Sequence, residues 1–143
     1  MLATIETWIQ SQLADDDALL ELFNEAGAEK VLIRPGEGSE GDSYPAVRYA
    51  FLGETDRQIN RCGQLISVKL EYEVKAVVKS RSYADSQPYT QRIQAVLAAQ
   101  NAGGDSLTWN TAISNTTGRR ERGTGNTWYV HHGYVIQFEV SEE

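Results

Sequence analysis

The chain has 143 residues, of which 41% are hydrophobic and 23% are charged, and this balance predicts one globular domain over residues 1–143. Its net charge of −7 disfavours general binding to nucleic acid or to an anionic membrane, because both polyanions would be repelled. The same charge remains compatible with a position beside DNA that must slide past without adhering.

Two amphipathic helices are predicted at the start of the chain. In residues 2–13, apolar side chains recur at the spacing of one helical face: Ile5, Trp8, Ile9 and Leu13. The run Asp15–Asp17 supplies an N-cap for a second helix, which Gly27 is placed to end. No Lys or Arg precedes Lys30, so this segment presents either a solvated acidic face or a surface for a basic partner.

Two strands are predicted next, separated by a glycine-rich loop. The run KVLIR (30–34) is short, apolar and rich in β-branched residues, and Pro35-Gly36 is placed to end it. The segment YPAVRYAFLG (44–53) alternates apolar and polar side chains, which is typical of a half-buried strand. The polar stretch GETDRQINRCGQ (53–64) is expected to be a connection or the exposed tip of a hairpin.

The segment LISVKLEYEVKAVVK (65–79) alternates over an unusual length. One face is apolar and is expected to lie in the core: Ile66, Val68, Leu70, Tyr72, Val74, Ala76 and Val78. The other face is mostly polar and is expected to meet solvent: Ser67, Lys69, Glu71, Glu73, Lys75, Val77 and Lys79. At about 3.3 Å per residue this strand spans roughly 45 Å, so it must project beyond the core, bend at a bulge or pair with an equally long strand.

A third helix is predicted directly after this strand. Beyond Lys79 the apolar spacing becomes helical, with Asp85 or Ser86 as the cap and Pro88 in the first turn. We expect this helix to end near Gln100, where the sequence NAGGD begins to break the pattern.

Two further strands complete the pattern, LTWNTAI (107–113) and NTWYVHHGYVIQFEV (126–140), with a glycine-rich basic tip at 115–126 between them. The long strands 65–79 and 126–140 are expected to share one sheet as antiparallel neighbours. The resulting order, ααβββαββ, predicts an α+β fold with a mainly antiparallel sheet and helices packed on one face.

The sequence contains no recognisable catalytic, metal or cofactor motif. His131 and His132 are adjacent on a predicted strand, so they point to opposite faces and cannot bind one metal ion together. Neither a zinc spacing, a GxSxG elbow nor a P-loop occurs. Cys62 is the only cysteine, which excludes an intrachain disulfide and is typical of a reducing cytosol. We therefore expect neither enzyme activity nor a cofactor.

Two groups of charged residues are candidates for contacts with other proteins. The first is a mixed-sign strip on the polar face of the long strand, formed by Lys69, Glu71, Glu73 and Lys75. This strip is either an exposed soluble face or a surface that a neighbouring copy covers. The second is the basic set in the 115–126 tip, formed by Arg119, Arg120 and Arg122. That tip is either a solvated loop or a docking loop for an acidic neighbour.

The order of elements resembles that of the tail terminator (tail completion) proteins of long-tailed bacteriophages. A pair of N-terminal helices is followed by strands, then by one long strand that leads directly into a helix, and finally by a hairpin. The matching stretches cover most of the chain: MLATIETWIQSQL, YPAVRYAFLG, VKLEYEVKAVVKSRSYADSQPYTQRIQAVL and WYVHHGYVIQFEV.

The resemblance implies a structural virion protein at the head-proximal end of the tail, made in the host cytoplasm. Such proteins form a ring, usually of six copies, that stops polymerisation of the tail tube and gives the head a docking surface. The implied partners are other copies of the chain, the tail-tube protein and head-connector proteins, with DNA crossing the ring without specific binding. The alternatives are a small α+β module that binds a ligand or peptide and, less favoured by the residues, a small hydrolase.

Overall fold

A computed structural model describes residues 1–36, 43–98, 102–104 and 107–142, with the backbone alone for 102–104 and 142. Its helices are α1 (Leu2–Ala14), α2 (Asp17–Glu25) and α3 (Tyr83–Leu97). Its strands are β1 (Ile33–Pro35), β2 (Ala46–Ile59), β3 (Leu65–Val78), β4 (Ala102–Gly104), β5 (Leu107–Arg122) and β6 (Trp128–Glu142).

The strands in the described part of the chain form one six-stranded sheet in the order β1-β2-β3-β6-β5-β4. β1 runs parallel to β2, whereas all other neighbours are antiparallel. The fold is therefore α+β with a mainly antiparallel sheet, as predicted, and the order ααβββαββ is confirmed with one addition. The addition is β4, which lies inside the NAGGD segment that was expected only to end the third helix.

The helices pack on one face of the sheet, where they meet the apolar stripe predicted for β3. The strand side chains of this core are buried and include Val68, Leu70, Tyr72, Val74 and Ala76 of β3, with Ile136, Phe138 and Val140 of β6. The helices contribute fully buried Ile5, Ile9, Leu13, Leu19, Phe23, Ile93 and Leu97. Each such aliphatic or aromatic side chain contributes about 1.5–3 kcal/mol when it leaves water, so this layer supplies most of the stabilisation.

The long strand β3 satisfies the condition that it pairs with an equally long strand. It pairs with β6 from Ser67 to Val78 and with β2 along its whole length, which confirms the predicted antiparallel pair of long strands. Register shifts bend β2 near Gly53 and Gln58. The polar stretch 53–64 is mostly strand, since pairing continues to Ile59 opposite Leu65 and leaves only residues 60–64 as the turn.

The third helix begins earlier than predicted. α3 starts at Tyr83 because Ser82 caps it, its hydroxyl accepting a backbone hydrogen bond at 3.1 Å. Pro88 therefore lies inside the helix rather than in its first turn. The helix ends at Leu97, and the predicted end at Gln100 lies outside the described residues.

One carboxylate both begins α2 and ties it to α3. Asp16 Oδ2 accepts a hydrogen bond from the N–H of Leu19 at 2.9 Å, as an N-cap does. The same side chain accepts two hydrogen bonds from the Arg92 guanidinium, at 2.7 and 2.6 Å. The bond from Arg92 lowers the pKa of Asp16 below its ordinary value, because it favours the charged carboxylate.

The two roles of Asp16 are separable by substitution. Asp16→Asn keeps a capping side chain and loses the charge, whereas Asp16→Ala loses both. We expect Asp16→Ala to lower the free energy of unfolding by about 1 kcal/mol more than Asp16→Asn does, in urea denaturation at neutral pH. The pKa of Asp16 is lower in the folded chain than in the unfolded chain. The ion pair with Arg92 therefore contributes to stability above the usual carboxyl pH range, and this contribution is lost as the pH falls through the folded-state pKa. Equal losses in the two variants would show that the cap contributes nothing.

Candidate assembly surfaces

The predicted polar strip of β3 lies on the sheet face away from the helices, but only part of it is accessible. Lys69, Glu71 and Glu73 are half-buried, and the Nζ of Lys69 lies 3.3 Å from Asp56 of the neighbouring strand. Lys75 is only 3% exposed, so its prediction as a solvent-facing contact residue is wrong. The strip available to a partner therefore ends at Glu73.

The strands β3 and β6 approach each other closely at the position of Lys75. Its register partner on β6 is Gly133, and a Cβ at residue 133 would lie 2.2 Å from the carbonyl oxygen of Val74 and 2.4 Å from the Cα of Lys75. A residue with a side chain does not fit there. The lysine Nζ reaches Glu73 Oε1 at 3.6 Å, so its charge is partly balanced within the strand.

The same end of this face buries further polar side chains that the sequence pattern did not identify. Arg48 is 7% exposed and donates to the carbonyl oxygen of Pro35 at 3.0 Å, while His131 is 4% exposed with its Nε2 3.6 Å from Glu121. Tyr129 is also buried and its ring centroid lies 4.9 Å from that of Tyr44. Each of these side chains contacts another part of the fold, so little of it is accessible at this end of the face.

Gly133 offers a test of this close approach, with Gly118 as a matched control on the adjacent strand. We expect Gly133→Ala to lower the free energy of unfolding by about 3 kcal/mol or more, since the new Cβ overlaps backbone atoms. At Gly118 the nearest atom is the Tyr83 ring at 3.2 Å, which can shift, so Gly118→Ala should change stability by less than about 1 kcal/mol. Thermal or urea denaturation measures both, and similar values for the two variants would contradict the close approach.

The three arginines predicted to form a docking loop lie instead on a strand. β5 continues to Arg122 and pairs with β6 up to Trp128, so the turn is confined to residues 123–127. The polar and glycine-rich composition of 115–126 suggested a loop, but pairing with β6 overrides that local preference.

Alternation along β5 sends these arginines to different sides of the sheet. Arg119 lies on the face away from the helices, 2.7 Å from Glu121 and 3.4 Å from His131. Arg120 lies on the helix side, where its guanidinium is 5.0 Å from the centroid of Tyr83. The three residues therefore do not form one surface.

A stacked group at this end of the sheet was not anticipated from the sequence. Arg81 lies over the ring of Trp128 at 5.0 Å, and Arg122 lies over the same ring at 6.0 Å. Arg81 comes from the β3–α3 connection, so only the fold brings it beside the β5–β6 hairpin. Guanidinium groups held on aromatic rings keep their charge exposed in a fixed position, which suits contact with an acidic neighbour.

The opposite end of the molecule carries the β2–β3 arm, defined here as residues 52–66. Its side chains from Glu54 to Gln64 are all exposed, including Cys62 in the turn. Large hydrophobic side chains are nevertheless exposed on the arm and at its base: Phe51 (42%), Leu52 (52%), Ile59 (56%) and Ile66 (50%). Ile66 was predicted to lie in the core, and it does not because the helices do not cover this part of β3. Exposed hydrophobic side chains along a projecting element are candidates for contact with another protein.

The two histidines lie on opposite faces, as predicted. His132 is half-buried under α3, with its Nδ1 2.9 Å from the hydroxyl of Ser86. The same hydroxyl lies 2.9 Å from the carbonyl oxygen of Tyr83, to which it can donate. Across the residues that the structure describes, no three His, Cys, Asp or Glu side chains are grouped to hold a metal ion. None of the helices in those ranges combines the length and apolar character needed to cross a membrane.

Burial lowers the pKa of His132 below its ordinary value of 6.5, which predicts a pH-dependent contribution to stability. Below the ordinary pKa the unfolded chain binds a proton that the folded chain does not, so stability falls as pH falls toward the folded-state pKa. We expect His132→Gln to reduce the loss of stability between about pH 7.5 and about pH 5 relative to the original chain, measured by urea denaturation. An unchanged loss in the variant would show that His132 does not titrate differently in the folded state.

Comparison with known proteins identifies the fold and leaves the family open. No protein-family model matches the sequence, and no curated protein sequence matches it. A chain from a solved structure described as "Virion of native gene transfer agent (GTA) particle" is similar, with a TM-score of 0.65 and 10% sequence identity. The match covers 98% of this chain and 96% of that chain. The two chains therefore share a fold over nearly their whole lengths.

Proposed function

We propose that this chain is a structural protein of a phage-type virion and acts there as a tail terminator. In this role a homo-oligomeric ring, of six copies by the family resemblance, ends growth of the tail tube and joins the tail to the head. The observation that carries the proposal is the nearly complete match to the fold of a chain from a gene transfer agent virion. The element order that resembles tail terminators supports the more specific role.

The proposed mechanism is geometric and requires no catalytic residue or cofactor. One side of the ring would contact the tail-tube protein, and the other side would offer head-connector proteins a surface on which no further tube subunit fits. The excess of acidic over basic side chains suits a channel that DNA crosses without adhering.

The charged candidates divide between these contacts according to where the structure places them. Lys69, Glu71 and Glu73 remain the proposed subunit-contact residues on the strip, with Lys75 acting only as the buried support of Glu73. The proposed contacts with head or tail neighbours are made at the β5–β6 hairpin end of the sheet, by Arg120 and Arg122 on the helix side and by Arg119 on the opposite face.

The alternative of a ligand- or peptide-binding module has weaker support. A cleft of about 340 Å³ lies between the α2–β1 connection and Tyr44. None of its lining residues is buried, and a small-molecule site normally encloses most of its ligand. This cleft therefore gives little support to a ligand-binding role.

The virion role predicts a specific defect in cells that produce the particles. Replacing Arg119, Arg120 and Arg122 together by Ser should reduce joined head–tail particles by about tenfold or more, equivalent to about 1.4 kcal/mol of contact energy. A triple Lys variant is the matched control, because it keeps the three positive charges and should retain more joining. Electron microscopy counts joined particles, free heads and free tails.

The same system tests the terminator role directly. Removal of the chain should give tails of uncontrolled length without heads, and labelling of the intact chain should place it at the head-proximal end of the tail. Normal tail length and normal joining without the chain would overturn the proposal. Normal joining with the Ser variant would overturn only the role of the arginines.

A further inference from the structure

Three arginine side chains come together on the helix side of the sheet, at the end where the β5–β6 hairpin turns. Arg120 and Arg122 lie on the same face of β5, and Arg81 reaches the ring beside Arg122 from the β3–α3 connection. We name Arg81, Arg120 and Arg122 the basic corner. All three side chains are exposed, so the corner is accessible to another molecule.

Each member of the basic corner is held against an aromatic ring. Arg81 and Arg122 share the ring of Trp128, at 5.0 and 6.0 Å from its centroid, and Arg120 lies 5.0 Å from the centroid of Tyr83. A guanidinium stacked on a ring keeps the N–H groups on its edge available to an acceptor. It also loses less conformational freedom on binding than a mobile side chain does. The rings therefore prepare the three arginines to bind an anionic group.

The basic corner has no acidic partner within the part of the chain that the structure describes. Arg119 of the same strand pairs with Glu121 at 2.7 Å, on the face away from the helices. Among the described residues, no such ion pair involves Arg81, Arg120 or Arg122. Glu121 stands between two of them in the sequence, but its side chain points to the opposite face, beside Arg119. The corner therefore offers three positive charges to an external acceptor.

The charge of the rest of the molecule favours a protein partner over nucleic acid. The three arginines contribute +3 to the net charge of −7, so the remaining side chains carry −10. A DNA duplex presents phosphates over a broad surface and would bring many of them near those acidic side chains. One or two carboxylates on a neighbouring protein can instead meet the guanidinium edges alone, in the bidentate geometry typical of arginine and carboxylate.

We infer that the basic corner binds closely spaced Asp or Glu side chains on a head or tail neighbour. Arg81 is a binding residue of this contact together with Arg120 and Arg122, and Trp128 is the residue that positions Arg81 and Arg122. This inference rests on the proposed function and gives the chemistry of one of its partners. Arg119 would contact a neighbour separately, because it lies on the other face of the sheet.

Fluorescence anisotropy of a labelled poly-L-glutamate peptide tests the chemistry of the partner. The full chain should bind this peptide at low ionic strength, and added salt should weaken the binding. Arg81→Gln should weaken it about threefold, as expected for the loss of one exposed charge contact. Arg61→Gln is the matched control, because Arg61 is an exposed arginine in the turn at the opposite end of the molecule, and it should leave the affinity unchanged. Equal affinities of the two variants, or no binding by the original chain, would overturn the inference.

Two further measurements test the choice of partner and the role of the ring. A labelled DNA duplex should bind the chain more weakly than the glutamate peptide at the same salt concentration, and tighter binding of the duplex would contradict an acidic protein partner. Trp128→Leu keeps all three arginines but removes the ring on which two of them lie. In the Trp128→Leu background, Arg81→Gln should therefore cause little further loss of peptide affinity. Additive losses would show that Trp128 does not position Arg81.

Cells that produce particles separate this inference from the proposed function. Arg81→Gln should reduce the number of joined head–tail particles, whereas Arg61→Gln should not. If removal of the chain gives tails of uncontrolled length but Arg81→Gln joins heads normally, the terminator role stands and the role of the basic corner is wrong. If Arg81→Gln weakens peptide binding but labelling finds the chain absent from particles, the chemistry of the corner stands and the terminator role is wrong.

Discussion

The pairing of β3 with two strands of similar length is the constraint on which the rest of the structure depends. β2 and β6 flank β3 over most of its residues, so its two faces are fixed along its whole length. One face receives the helices through a continuous apolar stripe. The helices do not cover the other face or the arm. A register shift of one residue in β3 would exchange these two faces, which explains why the alternation is so regular.

The spacing of apolar side chains, alternating in strands and three to four residues apart in helices, sufficed to predict the fold class, the element order and the antiparallel pair of long strands. It did not predict the burial of Lys75 on the polar face, because the residues that lie beside it come from other strands. Gly133 and Arg48 are distant from Lys75 in sequence, and only the register brings them together. Val77, an apolar residue on the polar side of the alternation, was the one local signal of this burial.

The candidate surfaces were harder to predict than the fold for the same reason. Charge and glycine content marked Arg119, Arg120 and Arg122 as notable, but composition could not show that β6 holds them in a strand and divides them between faces. The pairing of β3 with β6 was predicted, but the positions of the other strands around this pair were not. Without the strand order, β2 and β5 could not be placed on opposite sides of the β3–β6 pair.

The two hairpin turns lie at opposite ends of the molecule, residues 60–64 at one end and 123–127 at the other. They differ in chemistry. The turn at 60–64 lies at the tip of the arm that carries exposed apolar side chains, whereas the turn at 123–127 adjoins arginines stacked on Trp128. In a ring of copies that share one orientation, all turns of a kind would gather on the same rim. Such a ring would have two rims of different chemistry and could not be inverted without exchanging them. One kind of protein would thereby give an assembling particle a defined polarity.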